Sequence, residues 1–214
     1  MYHGGNKTAQ LSQRMIADAM IRLLRTNAFA EIHVSMLCRE AQVSRQTFYS
    51  LFGTRENVLA FLLQTSCCFE PEKKQPVCTS ADFRSFCQGY SRYILEKKDI
   101  LELLVRNDMM HCLYDVQYAS LMDCGHFMQG VQGDDRIYLM DFIASGMNSI
   151  AKNFVITGGH ADEQTLEHLM YRLFGGLYFI GHGRSGDAAE GGACQRQYPP
   201  VEGLQQDRLA VDDV

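Results

Sequence analysis

The stretch from Val34 to Phe52 holds the residues of this chain best suited to chemistry, and that chemistry is recognition rather than bond breaking. Leu37, Cys38 and Ala41 are spaced as one buried helical face. Val43 closes a short turn, and the Ser44 hydroxyl is placed to cap a second helix. That second helix opens with Arg45, Gln46 and Thr47, three side chains rich in hydrogen-bonding groups. Phe48 and Phe52, four apart, point inward as anchors. A helix that starts with polar side chains and free N–H groups, braced by a crossing helix, suits the major groove of DNA.

The surrounding segment, from about Ser12 to Phe61, resembles the DNA-binding domain of the TetR/AcrR family of bacterial transcriptional regulators. The matching residues run from Arg14 to Met20, through Leu23-Leu24 and Phe29-Ala30-Glu31-Ile32. They continue with Arg39-Glu40-Ala41, Val43-Ser44-Arg45, Thr47-Phe48-Tyr49 and Phe52, and end at Arg55 to Leu59. The chain departs from the family pattern at four positions. His33 stands where the family usually has Thr, Gln42 and Gln46 where Gly is usual, and Ser35 where some members carry a base-reading Arg. Gln42 must then accept a backbone conformation that Gly takes more easily. At the matching positions, Arg45 suits guanine and Gln46 suits adenine. Thr47 suits a base or a phosphate, Tyr49 a phosphate oxygen, and Arg55, after Thr54 as N-cap, a further phosphate. Ser44, Ser35 and Lys7 are secondary candidates. The competing readings are a half-buried core ring for Tyr49 and a solvated surface charge for Arg45.

The net charge of −5 argues by itself against nucleic acid, but it is unevenly spread. Residues 1–69 hold seven Lys/Arg and four Asp/Glu, a net +3; residues 70–214 hold thirteen and twenty-one, a net −8. A mildly basic head on an acidic body predicts few, localised phosphate contacts. Neither an apolar leader nor a run of about 18 apolar residues is found, so a cytoplasmic protein without a membrane span is expected. The eight cysteines include no Cys-x-x-Cys pair, which predicts free thiols, mostly small hydrophobes in helices. Cys67-Cys68, with Cys78, form an alternative oxidant-sensing group. His111, Cys112, Cys124 and His126 are the only metal-ligand cluster to weigh. Because residues 111 and 112 face different ways on a helix, no metal site is expected. No nucleophile–base pair, phosphate-binding Gly-rich loop or cofactor motif stands at a diagnostic spacing; residues 183–192 are Gly-rich but lie in the tail. An enzyme is not expected.

No long segment alternates apolar and polar residues, so the fold class expected is all-α, with about nine helices. They are placed at about 10–26, 34–41, 45–51, 55–69, 81–97, from Asp99, 109–127, 134–157 and 163–181. Ser80 and Asp162 serve as caps, and Gly158-Gly159 as a stop. The division expected is a helix-turn-helix DNA-binding domain at 1–69 and a helical effector-binding and dimerisation domain at 70–183. A disordered tail at 184–214 follows, with a short helix near Leu204 to Leu209 as an option.

The body is rich in Met and aromatic residues. Phe83, Tyr90, Tyr93, Met109, Tyr114, Tyr118, Met122 and Phe142 are the candidate walls of a pocket for a small, mostly apolar effector; ordinary core packing is the alternative for each. The last two helices offer a pairing surface: Ile143, Met147, Ile150, Phe154, Leu169, Leu173 and Leu177. A C2 dimer with a four-helix interface would place two heads on a palindromic operator of double-stranded DNA. Asp141 to Ile150 is also similar to the C-terminal domain of a Firmicutes-type subset of the TetR family, which includes coactivators. The function expected is a ligand-responsive, homodimeric DNA-binding regulator, most simply a repressor. The alternative is a coactivator or partner-binding module of the same fold that does not bind DNA itself.

Overall fold

The computed structural model describes residues 6–64, 80–124, 127–128 and 131–181, with the backbone alone at 80–82 and 176–181. Every regular element among the described residues is helical: α1 (Lys7–Thr26), α2 (Val34–Glu40), α3 (Arg45–Leu51), α4 (Arg55–Leu63), α5 (Ser80–Glu96), α6 (Lys98–Arg106), α7 (Met110–Asp123), α8 (Gly133–Ile156) and α9 (Glu163–Gly181). A single 3-10 turn, Phe29–Glu31, joins α1 to α2. The described residues all fall within one compact unit, Met1–Gly183. The expected tail and its optional short helix fall outside the described residues, as do Cys67, Cys68, Cys78, Cys194 and His126.

The head is built by α1 packing on α2, α3 and α4. Ile16, Met20 and Leu24 of α1, Leu37 of α2, Phe48 of α3 and Leu59 of α4 are fully buried in one core. In the body α5 runs along α9, α7 along α8, and α6 packs on α8. Tyr90 is buried there among apolar side chains; its hydroxyl donates to the Met147 carbonyl at 3.0 Å and accepts from the Gln117 amide. Gly146 lets α9 come close, because a Cβ there would lie 2.8 Å from the Phe174 ring.

Helix starts follow side-chain caps. Asn6, Ser44, Thr54 and Asp162 each accept from a backbone N–H two or three residues on. The Asn6 cap starts α1 at Lys7, three residues before the position expected from apolar spacing. Four helices have a left-handed residue just past the cap, Gly53 after α3 among them, and the other three share one pattern of hydrogen bonds. After α8 the Gly159 N–H donates to Phe154 and that of Gly158 to Val155, as the Gly158-Gly159 pair predicts. After α2, Gln42 takes the left-handed position at φ 55, with Val43 N–H on the Cys38 carbonyl. After α6, Asp108 does so at φ 55, with Met109 N–H on Leu104.

Two helices stop earlier than their apolar spacing implies. Among the described residues α4 ends at Leu63, not 69, and Gln64 is already extended. Side chains of α5 and of the α5–α6 turn take the carbonyls that a longer α4 would use: the Tyr93 hydroxyl binds Leu63 at 3.0 Å and the Lys97 ammonium binds Leu62 at 2.9 Å. α7 ends at Asp123, not 127. There the Arg136 guanidinium collects the carbonyls of Leu121, Cys124 and Phe127 at 3.0, 3.0 and 2.9 Å. Those bonds hold a turn that buries Phe127 and Met128.

Candidate nucleic-acid interface

α3 is anchored from beneath and open above. Phe48, Leu51 and Phe52 are buried, with the Phe48 and Phe52 rings 6.2 Å apart and Phe52 edge-on to Phe61 at 5.6 Å. On the other side Arg45, Gln46, Tyr49 and Ser50 are exposed. Among the described residues neither Arg45 nor Gln46 has a side-chain partner, so both heads are available to a ligand. Tyr49 is 57% exposed, which removes the core-ring reading. Its ring stands edge-on against Phe48 at 5.5 Å, so the hydroxyl is carried on a braced support.

Ser44 caps α3 as its type implies, and the Thr47 hydroxyl is drawn into that cap. Ser44 Oγ accepts the Thr47 N–H at 3.0 Å, and the two hydroxyls share a 2.8 Å hydrogen bond. They start α3 and lock each other. The packing of α2 against α3 fixes the turn between them: Cys38 is buried with its thiol 3.9 Å from the Ser44 carbonyl, and Val43 is half-buried. Burial raises the Cys38 thiol above its ordinary value, partly offset by the Arg45 guanidinium. His33 is the N-cap of α2 but makes no side-chain capping bond. Ser35 is exposed on α2.

Arg55 is spent inside the head. Its Nη1 donates to the Phe29 carbonyl at 3.1 Å and, closer still, to that of Ile32. The guanidinium lies 4.8 Å from the centre of the Phe29 ring. A side chain expected to reach a phosphate instead ties the turn before α2 to the start of α4. The contacts span 26 and 23 residues, so local spacing does not encode them.

Among the described residues the eight expected walls of an effector pocket meet in part: Tyr90 stacks on Tyr93 at 5.7 Å. Phe83, Tyr90 and Tyr93 are buried and committed to packing: Phe83 on Phe86 and Tyr171, and the two tyrosine hydroxyls on backbone carbonyls. Met109, Tyr114, Tyr118 and Met122 are half-buried. Tyr114 stacks on Tyr118 at 5.9 Å and donates to Asp141. That bond holds the proton on the phenol and raises Tyr114 to about 12. Phe142 is 60% exposed and lies elsewhere, on the α8–α9 groove.

That groove, of about 720 Å³, is lined by Phe142, Ser145, Ser149, Leu169 and Leu173, with Ile150 and Phe154 buried at its floor. Four expected pairing residues therefore lie on it: Ile150, Phe154, Leu169 and Leu173. Ile143 and Met147 do not; each is 1% exposed, within the chain's own core. A helix turns 100° per residue, so the outward stripe on α8 is Phe142, Ser145, Ser149, Asn153 and Ile156, one position away from the inward one. Leu177 lies in α9, with its side chain outside those described. No group of three metal-ligating side chains occurs among the described residues, and none of their helices is long and apolar enough to cross a membrane.

No model of a known protein family matches the chain. It is 22% identical over 167 residues to the HTH-type dhaKLM operon transcriptional activator DhaS of Lactococcus lactis, spanning 73% of this chain and 86% of the relative. Among solved structures, Lin0861 from Listeria innocua superposes with a TM-score of 0.66 at 18% identity, covering 83% of this chain and 96% of that one. NalD, the secondary repressor of the MexAB-OprM multidrug efflux pump in Pseudomonas aeruginosa, superposes with a TM-score of 0.50 at 11% identity, covering 84% and 99%. With its capped α2–turn–α3 head and five-helix body, the chain has the TetR-like fold: an N-terminal helix-turn-helix and a C-terminal helical domain.

Proposed function

We propose that this protein is a homodimeric DNA-binding transcriptional regulator that inserts α3 of each protomer into successive major grooves of a palindromic operator. The observation that carries the reading is the α3 surface: Arg45, Gln46 and Tyr49 exposed together on a helix whose other side is anchored by Phe48 and Phe52. Arg45 reads a guanine and Gln46 an adenine, and Tyr49 with Ser35 contacts phosphates. Ser44 and Thr47 set the start of the helix and add to phosphate binding at its edge. Two copies pair through the α8–α9 groove, and residues 70–183 act as the regulatory body. The simplest mode is repression relieved by a small, mostly apolar effector that binds the body and prefers a different head spacing. The naming of the Lactococcus relative as an activator favours a second reading, in which the same bound dimer stimulates transcription.

Selection from random duplex DNA tests this, followed by a salt titration on the enriched sequence. The expected result is a palindrome whose affinity falls with salt. A folded dimer that enriches nothing at low salt would overturn the reading and leave the partner-binding coactivator in its place.

A further inference from the structure

The head and the body are joined by side chains that bind main-chain groups: Tyr93 on Leu63, Lys97 on Leu62, Arg106 on Leu24 and Asn107 on Phe29. Phe29 sits in the short connection between α1 and α2, with its ring buried. Its carbonyl is taken by Arg55 of the head at 3.1 Å, and its N–H is taken by the body, through Asn107 Oδ1 at 2.8 Å. Asn107 is itself locked. It caps the end of α6, its backbone N–H donates to Leu103 at 3.1 Å, and its side-chain Nδ2 donates to the same carbonyl at 2.8 Å. The amide therefore has one workable orientation, because a flip would set donor against donor at Phe29 and acceptor against acceptor at Leu103. The next residue, Asp108, holds the left-handed turn that ends α6. Beside it the Arg106 guanidinium donates to the Leu24 carbonyl in the last turns of α1. That contact edges a charged, open cleft of about 400 Å³ lined by Arg25, Asp99, Glu102, Leu103 and Arg106. The Arg106–Leu24 and Asn107–Phe29 contacts are both part-buried.

From this geometry we infer that Asn107 is a positioning residue: through the Phe29 N–H it fixes the angle at which the body holds the α2–α3 head. The inference rests on the DNA-binding reading for its consequence but not for its test. If the head is held at one angle, two heads in a dimer stand at one spacing, and operators with the wrong half-site separation are rejected. If the bond is lost, the Phe29 N–H is left to water and the head swings over a range of angles.

The test uses the full chain with spin labels placed through non-natural residues at the exposed Arg39 of α2 and Lys152 of α8. The distribution of distances between them is expected to be narrow in the parent protein and broad in Asn107→Leu. In Asn107→Asp, which keeps an acceptor for the Phe29 N–H, it should stay narrow. A purely structural role would lower the melting temperature of Asn107→Leu without widening the distribution, and an unchanged width in the folded variant overturns the proposal. If Asn107→Leu does not fold, Asn107→Ser, whose side chain is too short to reach Phe29, is measured in its place with the same two outcomes. On DNA, Asn107→Leu should reduce discrimination against operators with one to three inserted base pairs about fivefold, the worth of one hydrogen bond. Affinity for an isolated half-site should be unchanged. A parent protein that binds no operator would sink the functional reading, while the distance measurement would still decide the role of Asn107.

Discussion

Arg45 and Arg55 show how side chains of one type divide between outside and inside work. Arg45 has no partner among the described residues and stands at the first position of α3; Arg55 has two carbonyls and an aromatic face. Replacing Arg45 with Ala should therefore leave the fold intact and remove about 1–3 kcal/mol of discrimination at one base pair. Binding competition between the operator and its single-base variants reads this out, and unchanged discrimination would remove Arg45 from the recognition set. The thiols carry a second prediction. Burial, aided by nearby Glu167, raises Cys87 to about 12. Burial with Asp115 and Glu56 raises Cys112 to about 11. Both should stay unlabelled by a thiol reagent in the folded protein at pH 8 and react once it is denatured, with mass mapping to assign each site. The folded state disfavours both thiolates, so their contribution to stability is complete below the ordinary thiol value of 9.0. It is lost as pH rises from there toward 11 and 12. Rapid labelling of either residue in native buffer would contradict the burial argument.

At the scale of the element, local chemistry set most boundaries and tertiary partners overrode the rest. The caps Ser44, Thr54 and Asp162 and the stop at Gly158-Gly159 act where their types imply. α4 and α7 end early because Tyr93, Lys97 and Arg136 arrive from distant parts of the chain to claim their last carbonyls. Nothing in the apolar spacing of residues 55–69 or 109–127 encodes those arrivals. The turn after α2 is the place where sequence and geometry are in tension. Gln42 holds φ 55, a conformation that costs a residue with a Cβ about 1–2 kcal/mol. Gln42→Gly should stabilise the protein by about 1 kcal/mol, an increase visible in the denaturation midpoint. A lower midpoint would mean that the Gln42 side chain contributes more than its backbone strain costs.

For the whole molecule, the exposed stripe of α8 and the neighbouring leucines of α9 form an apolar surface that a lone chain leaves uncovered. Phe142 at 60%, Ile156 at 58% and Leu173 at 56% exposure line up along one side of the bundle. A two-fold axis through that side would bury each against its counterpart. Leu173→Glu places two carboxylates near such an axis, and Ile143→Val only trims the monomer core. Sedimentation should show the first variant as a monomer that binds operator poorly and the second as a dimer. A dimeric Leu173→Glu protein would place the pairing surface elsewhere.

What the residues determined alone is the all-helical class, the α2–turn–α3 motif, its anchors Phe48 and Phe52, and the exposed chemistry of Arg45 and Gln46. These follow from short-range periodicity and capping, which act within a few residues. Only the tertiary structure decided which polar groups were already taken and which apolar ones were left over. It spent Arg55 inside the head, buried Tyr90 and Tyr93 under hydrogen bonds to distant carbonyls, and left Phe142 exposed on the α8 surface. A hydrogen bond between residues 78 positions apart, such as that from Phe29 to Asn107, leaves no trace in local spacing. It exists because folding brings the end of α6 against the end of α1, and because a part-buried N–H must find an acceptor.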